Sequence, residues 1–105
     1  MKPSVARLAV LATLSEKEWR AQVMRWAQRA RWQVWFTWSS IHSPAGLPDL
    51  ILCRPPRLLF VELKTEHGQL TRAQEEGLAL LNGCPGIETY VWRPHDEQFV
   101  QETLL

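Results

Sequence analysis

Cysteine is scarce in this sequence of 105 residues, which contains only Cys53 and Cys84. Two cysteines at this spacing match neither a disulfide framework nor a zinc-ligand pattern, so both are expected to be reduced thiols of an intracellular protein. No apolar run approaches the roughly 18 residues that cross a bilayer, which argues against a membrane protein. A glycine-rich phosphate loop is also missing, which disfavours a hydrolase of small nucleotides.

The composition is that of one small globular domain, with 46% hydrophobic and 22% charged residues. The charge is unevenly placed, since residues 1–57 carry nine Lys or Arg and three Asp or Glu, whereas residues 58–105 carry three and eight. A basic half beside an acidic half is compatible with nucleic-acid binding. A charged helix face is more often simply solvated, so charge alone leaves both interpretations open.

The first 14 residues are expected to form an N-terminal arm or short helix, followed by a single domain over residues 15–105. The apolar run of this segment is interrupted by Arg7 and is followed at once by Ser15 and Glu16, without a small-residue cleavage site. These features disfavour a secretory signal. We expect the segment to pack on the domain or on a second subunit.

Two capping signals mark the starts of helices. Ser15 with Glu18, and Thr71 with Gln74, have the spacing of capping boxes, in which each partner satisfies a free backbone N–H. The apolar spacing after Ser15 gives a buried helical stripe. The predicted helices are residues 16–30, residues 72–81 and a short final helix from Pro94 onward.

Apolar and β-branched runs predict strands over residues 32–38, 48–53, 58–63 and 87–92. Pro55-Pro56 predicts a turn between the second and third strands. Because primed two-residue turns need positive φ, which proline cannot adopt, a longer hairpin loop is expected, with Arg54 and Arg57 exposed beside it. The predicted order after the arm is α, β, β, β, α, β, α.

The hairpin register brings two acidic residues together. A turn centred between the two prolines places Asp49 directly across from Glu62, and Lys64 points to the same face of the sheet. Facing carboxylates repel each other, and a divalent cation such as Mg²⁺ or Mn²⁺ relieves that repulsion. A simple ion pair of Lys64 with either carboxylate is an equally open interpretation at this point.

Four short motifs give the sequence a family resemblance. They are Gly46-Leu47-Pro48-Asp49-Leu50, Val61-Glu62-Leu63-Lys64-Thr65, Gly68-Gln69-Leu70-Thr71 with Gln74, and Tyr90-Val91-Trp92-Arg93-Pro94. Together they resemble the VRR-NUC branch of the PD-(D/E)xK nucleases over about residues 15–97. That branch includes small stand-alone phage nucleases, so a phage-encoded protein acting in the cytoplasm of a bacterial host is expected.

The resemblance implies an α/β fold with a restriction-endonuclease-like core, in which a central mixed sheet of αβββαβ order is flanked by helices. It also implies a homodimer that cleaves DNA with Mg²⁺, for which Mn²⁺ may substitute. A chain of this length leaves little room for a recognition domain, so selection of flap or branched DNA is expected rather than a sequence-specific endonuclease.

The resemblance further implies roles for individual residues. Asp49 and Glu62 would be metal ligands, the backbone carbonyl of Leu63 would complete part of the shell, and Lys64 would be the catalytic lysine. Gln74 matches a family glutamine near the active site, and this role is compatible with its place in the capping box.

The family also places a glutamate on the first helix of the domain, and two residues are candidates. Glu16 shares the helix face of the buried Trp19, whereas Glu18 shares the solvated face of Gln22. Glu16 also directly follows Ser15, as the family glutamate follows Ser or Thr. We therefore assign Glu16 as the further metal ligand.

One position departs from the family pattern. Related nucleases often carry a histidine before Thr-Trp, where this sequence has Phe36, and His42 in the following loop is a possible substitute. Among the aromatics, Trp38 is the candidate for a substrate contact, and the others are assigned to the core or a dimer interface. Four arginines could contact phosphates or form a solvated face: Arg20, Arg25, Arg29 and Arg31.

A rival function is a DNA-binding or assembly module that keeps a nuclease fold and has lost catalysis. The intact set of Asp49, Glu62 and Lys64 argues against it, because a silent copy has no physical need for a repelling carboxylate pair.

Overall fold

The helices begin where the capping residues predict. A computed structural model describes residues 3–37 and 44–105, and both predicted capping boxes are present in it. The helices are α1 (Val5–Leu11), α2 (Glu16–Arg29), α3 (Arg72–Asn82) and α4 (Glu97–Leu104), with a 3₁₀ turn at Pro94–Asp96 before α4. None of the helices in the described ranges is long and apolar enough to cross a membrane.

Four strands form one mixed sheet. They are β1 (Gln33–Phe36), β2 (Leu50–Arg54), β3 (Arg57–Leu63) and β4 (Ile87–Trp92), and they lie side by side in that order. The first two pairings are antiparallel and the pairing of β3 with β4 is parallel. The predicted α/β class, with αβββαβ order and a mixed sheet flanked by helices, is therefore confirmed.

The turn between β2 and β3 differs from the prediction. Arg54 pairs directly with Arg57, so the loop is the two residues Pro55 and Pro56 and not a longer one. The peptide bond between the two prolines is cis. A turn with a cis proline at its third position needs no positive φ, which is why the argument from primed turns was wrong.

The two arginines beside this turn are half-buried, not exposed as expected. Arg54 donates to the carbonyls of Ala30, Leu104 and Leu105, at the ends of α2 and α4. Arg57 forms a paired contact with Glu88 on β4, at 2.8 Å for each nitrogen. Guanidinium groups are favourable at helix C-termini because the free carbonyls there carry partial negative charge.

The sheet has two different faces. One face forms the core with α2 and α4, and its buried residues and theirs are Trp19, Val23, Ala27, Leu50, Leu52, Leu59, Val61, Leu63, Trp92, Val100 and Leu104. The opposite face carries Asp49 and Glu62, because side chains alternate along a strand. There α3 packs on β3 and β4, with Asn82 bonded to Thr89 and Gln74 bonded to Glu62.

Candidate active site

The β2–β3 register brings the predicted acidic residues together. Leu50 pairs with Val61, so Asp49, the residue before β2, lies across from Glu62 as the sequence predicted. The two carboxyl groups lie within hydrogen-bonding range of each other. Glu62 is only 1% exposed and is the one charged residue in the described core. A buried carboxyl group and a half-buried one therefore lie next to each other.

The backbone of Leu63 contacts Asp49. Lys64 donates its backbone N–H to Trp92 on β4, so by strand alternation the polar groups of Leu63 face β2. There the Leu63 N–H donates to Asp49 Oδ2 at 2.9 Å and holds that carboxylate in place. The role of the Leu63 carbonyl as a metal ligand stays a prediction.

Burial, together with hydrogen bonding to Asp49 and the charge of Asp49, raises the pKa of Glu62 to about 8. The ammonium of Lys64 acts in the opposite direction, and the negative charge of Glu16 adds to the rise. Glu62 Oε2 is buried, and no donor among the described residues reaches it. A cation at this point would relieve the repulsion and satisfy that oxygen, and an all-oxygen donor set suits Mg²⁺ or Mn²⁺.

Gln74 connects α3 to the carboxylate pair. Its Oε1 accepts the backbone N–H of Thr71 at 2.9 Å, and its Nε2 donates to Glu62 Oε1 at 3.2 Å. Because an amide has a separate acceptor and donor, one side chain both caps the helix and orients the carboxylate. Gln74 therefore belongs to the capping box and also contacts Glu62, and its role in catalysis stays a prediction.

The two glutamates at the start of α2 have different surroundings. Glu18 Oε1 accepts the backbone N–H of Ser15 at 3.0 Å, and this bonding lowers the pKa of Glu18. Glu16 lies close enough to Glu62 for its charge to raise the Glu62 pKa. Within residues 3–37 and 44–105, however, no three Asp, Glu, His or Cys side chains converge as a metal-binding group. Glu16 therefore stands beside the Asp49–Glu62 pair without joining it.

Two glycines fix the loop that leads into Asp49. Gly46 has a φ of +87°, and a Cβ atom there would collide with the backbone oxygen of Ala73 on α3. A Cβ atom at Gly77 of α3 would in turn collide with the backbone oxygen of Gly46. The loop and the helix touch backbone to backbone, so Asp49 and Gln74 are held in a fixed relation.

Arg93 makes contacts that the sequence motif containing it did not predict. Its Nη1 donates to the carbonyl of Thr65 at 2.7 Å and to the carbonyl of Gly68. In the same loop, Glu66 accepts the backbone N–H of His95 at 2.6 Å. The position of an arginine directly after the last strand was the feature of the sequence that could have pointed to this residue. The carbonyls that it contacts are visible in the folded structure alone.

The remaining predicted residues are scattered. Trp38 and His42 lie outside the described residues, so the structure gives no position for either. Arg20 is half-buried, and the other three candidate arginines on or after α2 are exposed: Arg25, Arg29 and Arg31. Of the aromatics assigned to core or interface, Trp19 and Trp32 are buried, whereas Trp35 and Phe36 on the edge strand β1 are 50% and 56% exposed.

A family model and a solved structure are similar to this chain. A sequence model described as the VRR-NUC domain matches residues 1–95. A solved structure titled "VRR_NUC domain protein" is similar with a TM-score of 0.66 and 24% identity, over 87% of this chain and 85% of that chain. A search of curated proteins finds no match. The structural likeness supports the predicted restriction-endonuclease-like fold.

Proposed function

The chain belongs to the VRR-NUC family of nuclease-type domains, and on this premise we propose that it is a metal-dependent DNA endonuclease selective for flap or branched DNA. The observation that carries the proposal is the Asp49–Glu62 pair, in which Glu62 is buried and one of its oxygens has no hydrogen-bond donor among the described residues. An uncompensated pair of this kind costs stability, and a metal-binding role gives it a physical reason.

Asp49, Glu62 and the carbonyl of Leu63 would hold Mg²⁺ or Mn²⁺, with Glu16 adding negative charge nearby. When bound, the cation would polarise the scissile phosphate and lower the pKa of an attacking water. Asp49 is held for this role by the Leu63 N–H, and Glu62 by the amide of Gln74.

Lys64 supplies the positive charge of the site. The charge of its ammonium lowers the pKa of Glu62, against the larger effect of burial. Its backbone N–H donates a 3.1 Å hydrogen bond to Trp92 on β4. From this position Lys64 can donate to a non-bridging phosphate oxygen, where negative charge grows during hydrolysis, or orient the attacking water. We therefore assign Lys64 as the catalytic lysine.

Selectivity for DNA structure is proposed on the architecture of the described residues. One sheet with its flanking helices forms the site, and no further module is present in the described residues to read base edges. Discrimination would then depend on the loops around the site and on the geometry of a homodimer. The exposed aromatics of the edge strand β1 support such a dimer.

The test is cleavage of labelled linear duplex, flap and four-way-junction DNA in Mg²⁺, Mn²⁺ or EDTA. We expect cleavage only with metal, faster on flap or junction DNA than on duplex. Asp49→Ala and Lys64→Ala should each reduce cleavage at least about 100-fold, because each removes a group that acts in the transition state.

The controls separate loss of catalysis from loss of fold and of DNA binding. Both variants should keep the wild-type circular dichroism spectrum and bind DNA in Ca²⁺. A folded wild-type protein that binds DNA but cuts none of the three substrates would support the silent DNA-binding module instead. Equal cleavage of duplex and branched DNA would overturn the structure selectivity while leaving the nuclease activity in place.

A further inference from the structure

We propose that Arg93 is a positioning residue for catalysis, which holds the loop between β3 and α3 and thereby fixes Lys64 and Gln74 at the two ends of that loop. The inference rests on the proposed nuclease function, because it assigns Arg93 a task in that same site. Arg93 itself is placed on the loop backbone and not on substrate or metal.

One nitrogen of the Arg93 guanidinium contacts several backbone carbonyls of the loop between β3 and α3. Nη1 donates to the carbonyls of Thr65 and Gly68 and approaches that of Glu66 at 3.5 Å. Hydrogen bonds from a charged donor are about twice as strong as neutral ones. The loop turn is closed further by a 3.1 Å bond from the Gly68 N–H to the Thr65 hydroxyl.

The backbone of Arg93 is itself anchored. Its N–H donates to Asp96 Oδ2 at 2.9 Å, in the 3₁₀ turn that precedes α4. From the same turn, the His95 N–H donates to the side chain of Glu66. Arg93 and His95 therefore each connect the loop to the residues that follow β4. Arg93 binds the loop carbonyls, whereas His95 binds the side chain of Glu66.

The loop transmits this order to Lys64. A Cβ atom placed at Gly68 would lie 3.6 Å from Lys64 Cδ, so Gly68 lies beside the lysine stem with space for about one methyl group between them. Lysine has four rotatable side-chain bonds, and a wall beside the stem restricts where its ammonium points. If Gly68 lost its hydrogen bond to Arg93 and moved away, the lysine side chain would have more conformations available.

The other end of the loop leads into α3. Thr71 caps the helix and Gln74 reaches Glu62, so the position of the first turn of α3 determines where the Gln74 amide points. Misplacement of catalytic groups by about 1 Å costs on the order of 100-fold in rate. Arg93 is thus positioned to affect turnover without touching the reacting atoms.

The experiment compares Arg93→Met, which keeps the bulk of the side chain but removes every donor, with Arg93→Lys, which keeps a charged donor. The matched control is Arg7→Met, which removes an arginine ion pair, that of Arg7 with Glu97 at 2.7 Å, in which no residue of the loop takes part. Steady-state cleavage of flap DNA is measured in Mg²⁺, and hydrogen exchange of the residue 65–70 amides is measured without DNA.

For Arg93→Met we expect kcat to fall about 10- to 100-fold. The KM for DNA should change less than about twofold, and exchange should accelerate in residues 65–70 alone. Arg93→Lys should retain more of both the turnover and the protection than Arg93→Met. Arg7→Met should match the wild type in kcat and in loop exchange.

Three results would overturn the proposal. Wild-type turnover in Arg93→Met would show that the contacts are dispensable, and a rise in KM with unchanged loop exchange would place Arg93 on the DNA. Accelerated exchange throughout the chain in both Arg93 variants would make it a residue of general stability. If the wild type cuts no DNA, the proposed function fails, while unchanged loop exchange in Arg93→Met would separately refute the ordering role.

Discussion

Glu62 is buried beside a second carboxylate, and this placement lowers the free energy of unfolding of the metal-free protein. Its charged form loses hydration and repels Asp49, so the native state retains a proton that the unfolded chain releases. The contacts that Glu62 does make, to Gln74 and towards Lys64, only partly offset this. A site that is unfavourable alone and favourable with a cation is suited to binding one.

The stability of the metal-free protein should therefore fall as pH rises. The native pKa of Glu62, about 8, exceeds its ordinary value of 4.5, so the native state binds more protons than the unfolded state between these values. Stability is then lost from about pH 4.5 to about pH 8. Glu62→Gln should flatten this profile and be more stable at pH 8.5 by at least about 1 kcal/mol, since each pKa unit corresponds to about 1.4 kcal/mol.

Urea unfolding in EDTA at pH 5 and pH 8.5 measures this difference. Glu75→Gln, an exposed glutamate of α3, is the matched control and should follow the wild-type profile. Addition of Mn²⁺ at pH 8.5 should stabilise the wild type and not Glu62→Gln. A wild-type profile that is flat in EDTA would contradict the burial argument.

At the scale of elements, α3 shows how a local signal serves a distant site. The capping box was readable from Thr71 and Gln74 alone, because it depends on a three-residue spacing. The contact of Gln74 with Glu62 was not, since it depends on where β3 lies beneath the helix. The backbone contact of Gly46 with Gly77 likewise appears only when the loop and helix are brought together.

Two variants of this cap should separate its stability from its role in the site. Thr71→Ala removes the bond from the Gln74 N–H to the Thr71 hydroxyl, and Gln74→Ala removes both the reciprocal bond and the contact with Glu62. Each should cost about 1 kcal/mol of unfolding free energy. Gln74→Ala alone should also lower kcat, by about tenfold or more.

Urea denaturation and flap cleavage, run on the same preparations, check this prediction. Equal losses of activity in the two variants would show that helix stability, rather than the Glu62 contact, limits turnover.

Across the whole molecule, apolar surface is distributed unequally. The core face of the sheet is closed by α2 and α4, whereas the edge strand β1 leaves Trp35 and Phe36 about half exposed. Unpaired strand edges with exposed aromatics are common sites of association. The family resemblance predicts a homodimer, and this edge is where the described surface offers one.

Light scattering at micromolar concentration should therefore give twice the 12.2 kDa chain mass. Trp35→Glu should shift the protein towards the monomer, because a charge buried in an interface is costly. Phe99→Glu is the control, since Phe99 is similarly exposed, at 51%, but lies on α4. A wild-type protein that is monomeric throughout would rule out the dimer.

The order of the elements, the helix starts and the pairing of Asp49 with Glu62 could be predicted from the amino-acid sequence. These depend on short-range physics: capping at three-residue spacing, apolar periodicity, and a turn that sets the register of adjacent strands. The length of that turn was misjudged, because a cis proline bond depends on context as well as on residue type.

The extent of the site beyond that pair became visible in the folded structure and not before. Glu62 is buried between elements, Gln74 donates a hydrogen bond to Glu62, and Arg93 donates hydrogen bonds to the backbone of residues 65–68. Each of these contacts joins segments that are distant in the chain. The contacts of Arg54 with two helix ends and of Arg57 with Glu88 could not be predicted for the same reason. Contacts between separate elements depend on how the elements pack, and local spacing carries little information about that packing.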